Sequence, residues 1–233
     1  MNPLDAIRVV ARALSDLGVD DAVFVGGAVV GLLLTDPAAP PARATDDVDV
    51  VIGETSRVAF ARLEARLRDA GHVQPMPGPI CRWQIEGVSV DLMPIGSEVL
   101  GFTNRWYRTM MAHAVAVELR DERTVRVLSA PYLIATKLEA FHDRGAGDYL
   151  LSRDLGDIIA LVDGREEVVE EVRSSDAAVR AFITNTFRDL LSDPAFIDSL
   201  SAHLMPDAAS QDRVPVVVER MRRIVAASFG SGP

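Results

Sequence analysis

The chain has 233 residues, 48% of them hydrophobic and 25% charged, which is enough apolar material for a sizeable core. A formal net charge of −10 argues against a wholly basic nucleic-acid-binding surface, though a local basic site for a phosphate stays open. A single cysteine, Cys81, excludes an intrachain disulfide framework and a cysteine-built zinc cluster. No apolar run is long enough to cross a bilayer. The opening residues MNPLDAIRVVARAL are amphipathic and carry Asp5, unlike a secretory signal, so a soluble, cytoplasmic protein is expected. Arginine dominates the basic residues. Lys137 is the only lysine, the one place where a compact ammonium is used instead of a guanidinium.

In chain order, Leu4, Ile7, Val10, Leu14 and Leu17 recur at helical spacing, and Gly18 follows as a C-cap. DAVFVGGAVVGLLL reads as a short buried strand from Ala22 to Val25, a Gly26-Gly27 turn, and a helix from Ala28 to about Leu34. TDPAAPPARAT is a proline-rich loop, and DVDVVI after it is a strand. Arg57 to Ala70 fits an amphipathic helix with Val58, Leu63 and Leu67 on its apolar side, ending at Gly71. ICRWQIEGVSVDLMPI reads as two strands joined at Glu86-Gly87, and TVRVLS as a further sheet segment. From Pro131 onward the pattern is nearly all helical, in segments that begin at Pro131, Tyr149, Arg165, Asp176, Pro194 and Val214. The expected fold is α+β: a mixed sheet with flanking helices over residues 1–128, then a helical C-terminal part over 129–233, with no flexible spacer between them.

Candidate chemistry begins at RATDDVDVVI, where Asp46, Asp47 and Asp49 stand before a run of β-branched residues. Residues two apart on a strand share a face, so Asp47 and Asp49 project together while Val48, Val50 and Ile52 turn to the core. Asp91 lies on a later strand, and three carboxylates converge if the two strands are neighbours. Oxygen ligands of this kind suit Mg²⁺ or Mn²⁺. Gly26-Gly27, between a strand and a helix, leaves backbone N–H groups open to an anion. Together these pieces are equipment for phosphoryl or nucleotidyl transfer. Taken singly, Asp46 reads as a solvated turn residue, Cys81 as a small buried hydrophobe, and no histidine spacing suggests a metal site.

Four segments in order resemble the AbiEii/AbiGii-type nucleotidyltransferases, within the polymerase-β-like nucleotidyltransferase superfamily. They are Gly26-Gly27 with RATDDVD at 43–49, DLMP at 91–94, Lys137-x6-Arg144, and Asp154-x-x-Asp157. Many relatives carry Gly-Ser where this chain has Gly26-Gly27, and the second motif often ends in an aromatic residue where Pro94 stands here.

The resemblance implies an enzyme that moves an NMP from an NTP to an acceptor hydroxyl, with Mg²⁺ or Mn²⁺ as cofactor. Asp47 and Asp49 would hold the metal. Asp91 would complete that site and accept the proton of the attacking hydroxyl. Gly26 and Gly27 would approach phosphate through the backbone, and Lys137 would neutralise triphosphate charge, joined by Arg144. Asp154 and Asp157 would orient the lysine or the arginine, or contact the base. The same resemblance implies a macromolecular acceptor, tRNA first, a toxin of a toxin–antitoxin pair, and a cognate antitoxin as partner; no membrane partner is expected. Two other readings stay open at this point. One is a small-molecule nucleotidyltransferase of the antibiotic-modifying kind. The other is a non-catalytic NTP-binding or antitoxin-like module. For an RNA acceptor, Arg105 and Arg108 beside Trp106 and Tyr107 in NRWYR are the expected contacts, unless that stretch serves packing.

Overall fold

The computed structural model describes residues 1–144 and 147–227. Its contacts divide the chain into two units, Met1–Leu32 with Ala44–Ser129, and Leu33–Arg43 with the residues from Ala130 onward.

In the first unit, α1 (Pro3–Asp16) starts where the Asn2 side chain accepts a hydrogen bond from the Asp5 backbone N–H. Its stripe of Ile7, Val10 and Leu14 is buried, and Gly18 follows with φ 67°. Burying one such side chain contributes about 1.5–3 kcal/mol. β1 (Val23–Val25) leads through the Gly26-Gly27 turn into a 3₁₀ turn over 27–29 and then α2 (Val30–Leu33). β2 (Asp47–Ile52) is followed by α3 (Arg57–Asp69), which Ser56 caps. Val58 was expected on the apolar side of α3 but is 64% exposed; Phe60 is buried there with Leu63 and Leu67. Positions 60, 63 and 67 follow the helical repeat, whereas 58 falls on the opposite side.

β3 (Arg82–Ile85) and β4 (Val88–Pro94) form the expected hairpin. Its turn residues Glu86 and Gly87 both have positive φ, 49° and 82°, the geometry that matches strand twist in a two-residue loop. Pro94, at the end of β4, is buried and lies opposite Ile52. Short helices α4 (Ser97–Leu100) and α5 (Tyr107–Met110) follow, then β5 (Val115–Glu118) and β6 (Thr124–Val127). Among the described residues the strands make a mixed six-stranded sheet in the order β3-β4-β2-β1-β6-β5. The β2–β4 and β1–β6 pairs are parallel, and the remaining pairs are antiparallel.

The second unit is helical: α6 (Ala130–Arg144), α7 (Arg153–Gly164), α8 (Val168–Ser174), α9 (Ala177–Ser192), α10 (Pro194–Ser199), α11 (Ala208–Gln211) and α12 (Val214–Ala226). α7 begins later than Tyr149, because Ser152 takes the N-cap and accepts from the Leu155 N–H. The sequence pattern of the last helix, VPVVVERMRRIVAASF, runs to Phe229, and its residues 228–229 lie outside the described residues. Segment 33–43 is tied to this unit by several bonds. The Thr35 and Asp36 N–H groups both donate to the Gly164 carbonyl at 2.9 Å, and Arg213 bridges Asp36 and Asp163. Among the described residues no helix is long and apolar enough to cross a membrane.

Candidate active site

β2 alternates as a strand with one buried face must. Val48 and Val50 are buried, while Asp47 and Asp49 lie on the other face. β4 does the same, with Val90 and Leu92 buried and Ser89 and Asp91 opposite. The strands are parallel neighbours, with Asp49 opposite Asp91 and Asp47 opposite Ser89. Three carboxylates therefore share one side of the sheet. Asp46, just before the strand, is exposed.

Asp49 lies against the Gly26-Gly27 turn. A Cβ on Gly26 would stand 1.9 Å from Asp49 Oδ2. Its backbone, at φ 71° and ψ −161°, occupies a region that is essentially glycine's alone. Gly26 is required twice over, by conformation and by the carboxylate beside it. Gly27 is buried and opens the 3₁₀ turn.

Sequence reasoning passed over Arg82. It stands opposite Asp91 on the neighbouring strand β3. Its Nε donates to Asp91 Oδ1 at 2.7 Å, and its Nη2 donates to Asp91 Oδ2 at 2.7 Å and to Asp47 Oδ2 at 2.9 Å. The fork of a guanidinium matches a carboxylate in this two-bond way, which a lysine cannot do. The Asp91 hydrogen bonds hold the Arg82 pKa even further above its ordinary value. Among the described residues, no three acids, histidines or cysteines are gathered so that they could hold a metal ion. The donor set still suits a hard divalent cation by its chemistry. Two of its three carboxylates, Asp47 and Asp91, are already organised around a positive charge, that of Arg82.

Cys81, the residue before Arg82, is buried, and burial with the nearby Asp91 charge pushes its thiol up to about 11. It is a packed hydrophobe.

The helical unit holds a second cluster. Lys137 is buried on α6, and its Nζ lies 3.1 Å from Asp154 Oδ1 and 2.7 Å from Asp157 Oδ2. The two acids sit three apart on α7 and so share a face. Arg144, one heptad after Lys137, reaches both oxygens of Asp154 with an exposed side chain. Arg43, from the segment before β2, grips Asp157 through Nε at 2.7 Å and Nη2 at 3.0 Å. Three cations thus share two carboxylates, and Asp157 is almost wholly buried. A buried carboxylate without such partners would be strongly destabilising. Arg43 is the second residue that sequence reasoning passed over; its position inside RATDDVD was the available signal.

In NRWYR, Trp106 is buried and the Arg105 guanidinium lies 4.9 Å from its ring centroid. The Tyr107 hydroxyl contacts the Met93 sulfur at 3.3 Å. The Trp106 ring is therefore a packing element covered by Arg105, whereas Arg105 and Arg108 are exposed.

Residues 8–213 match the family described as nucleotidyl transferase AbiEii toxin, type IV TA system. No curated protein matches the chain. Among solved structures, an antigenic nucleotidyltransferase-like protein from Paracoccidioides brasiliensis is similar with a TM-score of 0.54 at 20% identity, covering 86% of this chain and 93% of its own. JHP933 from Helicobacter pylori is similar with a TM-score of 0.50 at 12% identity, covering 96% and 92%. At such identities the likeness is one of fold. The match along most of the chain goes further: this protein belongs to the AbiEii family of nucleotidyltransferase toxins of type IV toxin–antitoxin systems.

Proposed function

We propose that this nucleotidyltransferase moves an NMP from an NTP to an acceptor hydroxyl in a reaction that depends on Mg²⁺ or Mn²⁺, and that the acceptor is tRNA. The observation that supports this reading best is the register of β2 and β4, which sets Asp49 beside Asp91 with Asp47 on the same face. Asp47, Asp49 and Asp91 would hold the ion. When bound, it withdraws charge from the triphosphate and makes the α-phosphorus open to attack. The acceptor oxygen then bonds to the α-phosphorus as the bond to the β-phosphate oxygen breaks, and pyrophosphate leaves. Asp91 is assigned the proton of the attacking hydroxyl.

The Gly26-Gly27 turn is assigned the close backbone approach to phosphate. Lys137 and Arg144 are assigned the triphosphate charge, with Asp154, Asp157 and Arg43 as positioning residues that hold the ammonium in place. Membership of a type IV toxin–antitoxin family implies an NTP substrate and a cognate antitoxin as partner.

The test is transfer of label from each of the four α-labelled NTPs to purified tRNA, total protein and small hydroxyl compounds, with Mg²⁺ or with EDTA. Labelled tRNA in Mg²⁺ alone, lost in Asp49→Asn, is the expected result. Label on protein or small molecules only would replace the acceptor. Equal label in EDTA would remove the metal.

A further inference from the structure

Arg82 and a divalent ion would compete for the same carboxylate oxygens and repel each other. The Arg82 guanidinium satisfies both oxygens of Asp91 and one of Asp47, so a divalent ion bound by those acids meets a like charge at contact distance. Without either cation, Asp91 would stand opposite Asp49 and diagonal to Asp47 on the adjacent strand, with no guanidinium between Asp47 and Asp91 to offset their charges. We propose that Arg82 is an internal counter-cation that holds two of the metal carboxylates, Asp47 and Asp91, together in the unloaded protein and must leave them before the ion binds; this rests on the nucleotidyl-transfer reading above.

The fold suits such an exchange. β3 is the edge strand of the sheet, and the Arg82 side chain is 29% exposed, so the guanidinium has solvent to swing into without disturbing the core. A triphosphate supplies both things the exchange needs. Its oxygens complete the shell of the ion, and its negative charge offers the displaced guanidinium a new two-pronged partner. Metal and nucleotide therefore load as a unit, and the ion alone binds poorly. Arginine is the right residue for the task, because its planar fork spans two carboxylates where an ammonium would satisfy one.

The test is Mn²⁺ binding to the full chain, read by electron paramagnetic resonance of unbound Mn²⁺, without nucleotide and with a non-hydrolysable NTP analogue. Each reading is corrected by the same mixture without protein, so that Mn²⁺ held by the analogue in solution is not counted. Wild type should bind Mn²⁺ weakly alone and much more tightly with the analogue. Arg82→Met should bind Mn²⁺ alone about tenfold more tightly than wild type, a factor in line with the loss of one competing ion-pair network. It should also melt lower than wild type in EDTA and recover in Mn²⁺. Arg82→Lys, the variant to read if the Met protein does not fold, should fall between the two. Mn²⁺ affinity in the Arg82 variants equal to or below that of wild type overturns the proposal while leaving the transfer reading intact. Absence of Mn²⁺ binding to every protein, even with the analogue, overturns both.

Discussion

Gly26 concentrates two constraints in one residue, and its replacement separates them. Gly26→Ala places a methyl group where Asp49 Oδ2 now lies and holds a non-glycine residue at φ 71°, a conformation that costs about 1–3 kcal/mol. The variant should fold with a lower melting temperature and lose nucleotidyl transfer, because Asp49 is pushed aside; transfer at the wild-type rate would contradict the geometry. Lys137 offers a complementary case, in which charge is kept and shape is changed. Lys137→Arg puts a larger planar group into a buried site between Asp154 and Asp157, at a cost of about 1–3 kcal/mol from overpacking. Transfer should fall at least about tenfold although the cluster stays cationic; an unchanged rate would remove the lysine from the reaction. Cys81 should do nothing. With its thiol buried and pushed up to about 11, it should resist iodoacetamide at pH 8 in the native protein and react fully after denaturation.

At the scale of elements, the clearest stability prediction concerns the segment between α2 and β2. Arg213 holds Asp36 and Asp163 together, and burial raises the Asp163 pKa even with the guanidinium beside it. Arg213→Met strips the buried Asp163 carboxylate of its hydrogen-bonded guanidinium and leaves only the Arg220 charge nearby, which should cost about 3 kcal/mol in urea unfolding. Adding Asp163→Asn should recover part of that loss; a single variant as stable as wild type would mean the network does not hold the segment. The same region shows where sequence reading stops. Local signals were legible: the alternation of β2 and β4, the Glu86-Gly87 turn, the α1 stripe and the run of helices after Pro131 all follow from spacing of a few residues. The partners of segment 33–43 were not. A proline-rich loop has no periodicity, and Gly164 and Arg213 lie far along the chain. β5 escaped notice because its short VAVE run stands at the sheet edge with no buried face to pattern it. Arg82 escaped for a related reason. Its meaning depends on a register, Arg82 opposite Asp91 and β4 beside β2, that only the assembled sheet supplies.

For the molecule as a whole, a net charge of −10 sets the terms on which a nucleic acid can bind. Long-range attraction to a phosphate backbone is absent, so any tRNA contact must come from a few local arginines acting at short range. Arg105 and Arg108 are exposed in the first unit, the unit that carries Asp91, while buried Trp106 and its covering Arg105 leave no indole face for a base to stack on. The contact expected here is ionic, with little stacking, and it should therefore weaken steeply with salt. Arg105→Glu with Arg108→Glu should lower transfer to tRNA at least about tenfold and flatten its dependence on KCl concentration. The nucleotide-induced rise in melting temperature should be the same as in wild type, because neither arginine belongs to the carboxylate or lysine clusters. Loss of that thermal shift would mean that the reversal has damaged the nucleotide site. Transfer that survives the reversal with its salt dependence intact would mean that the acceptor docks on other arginines.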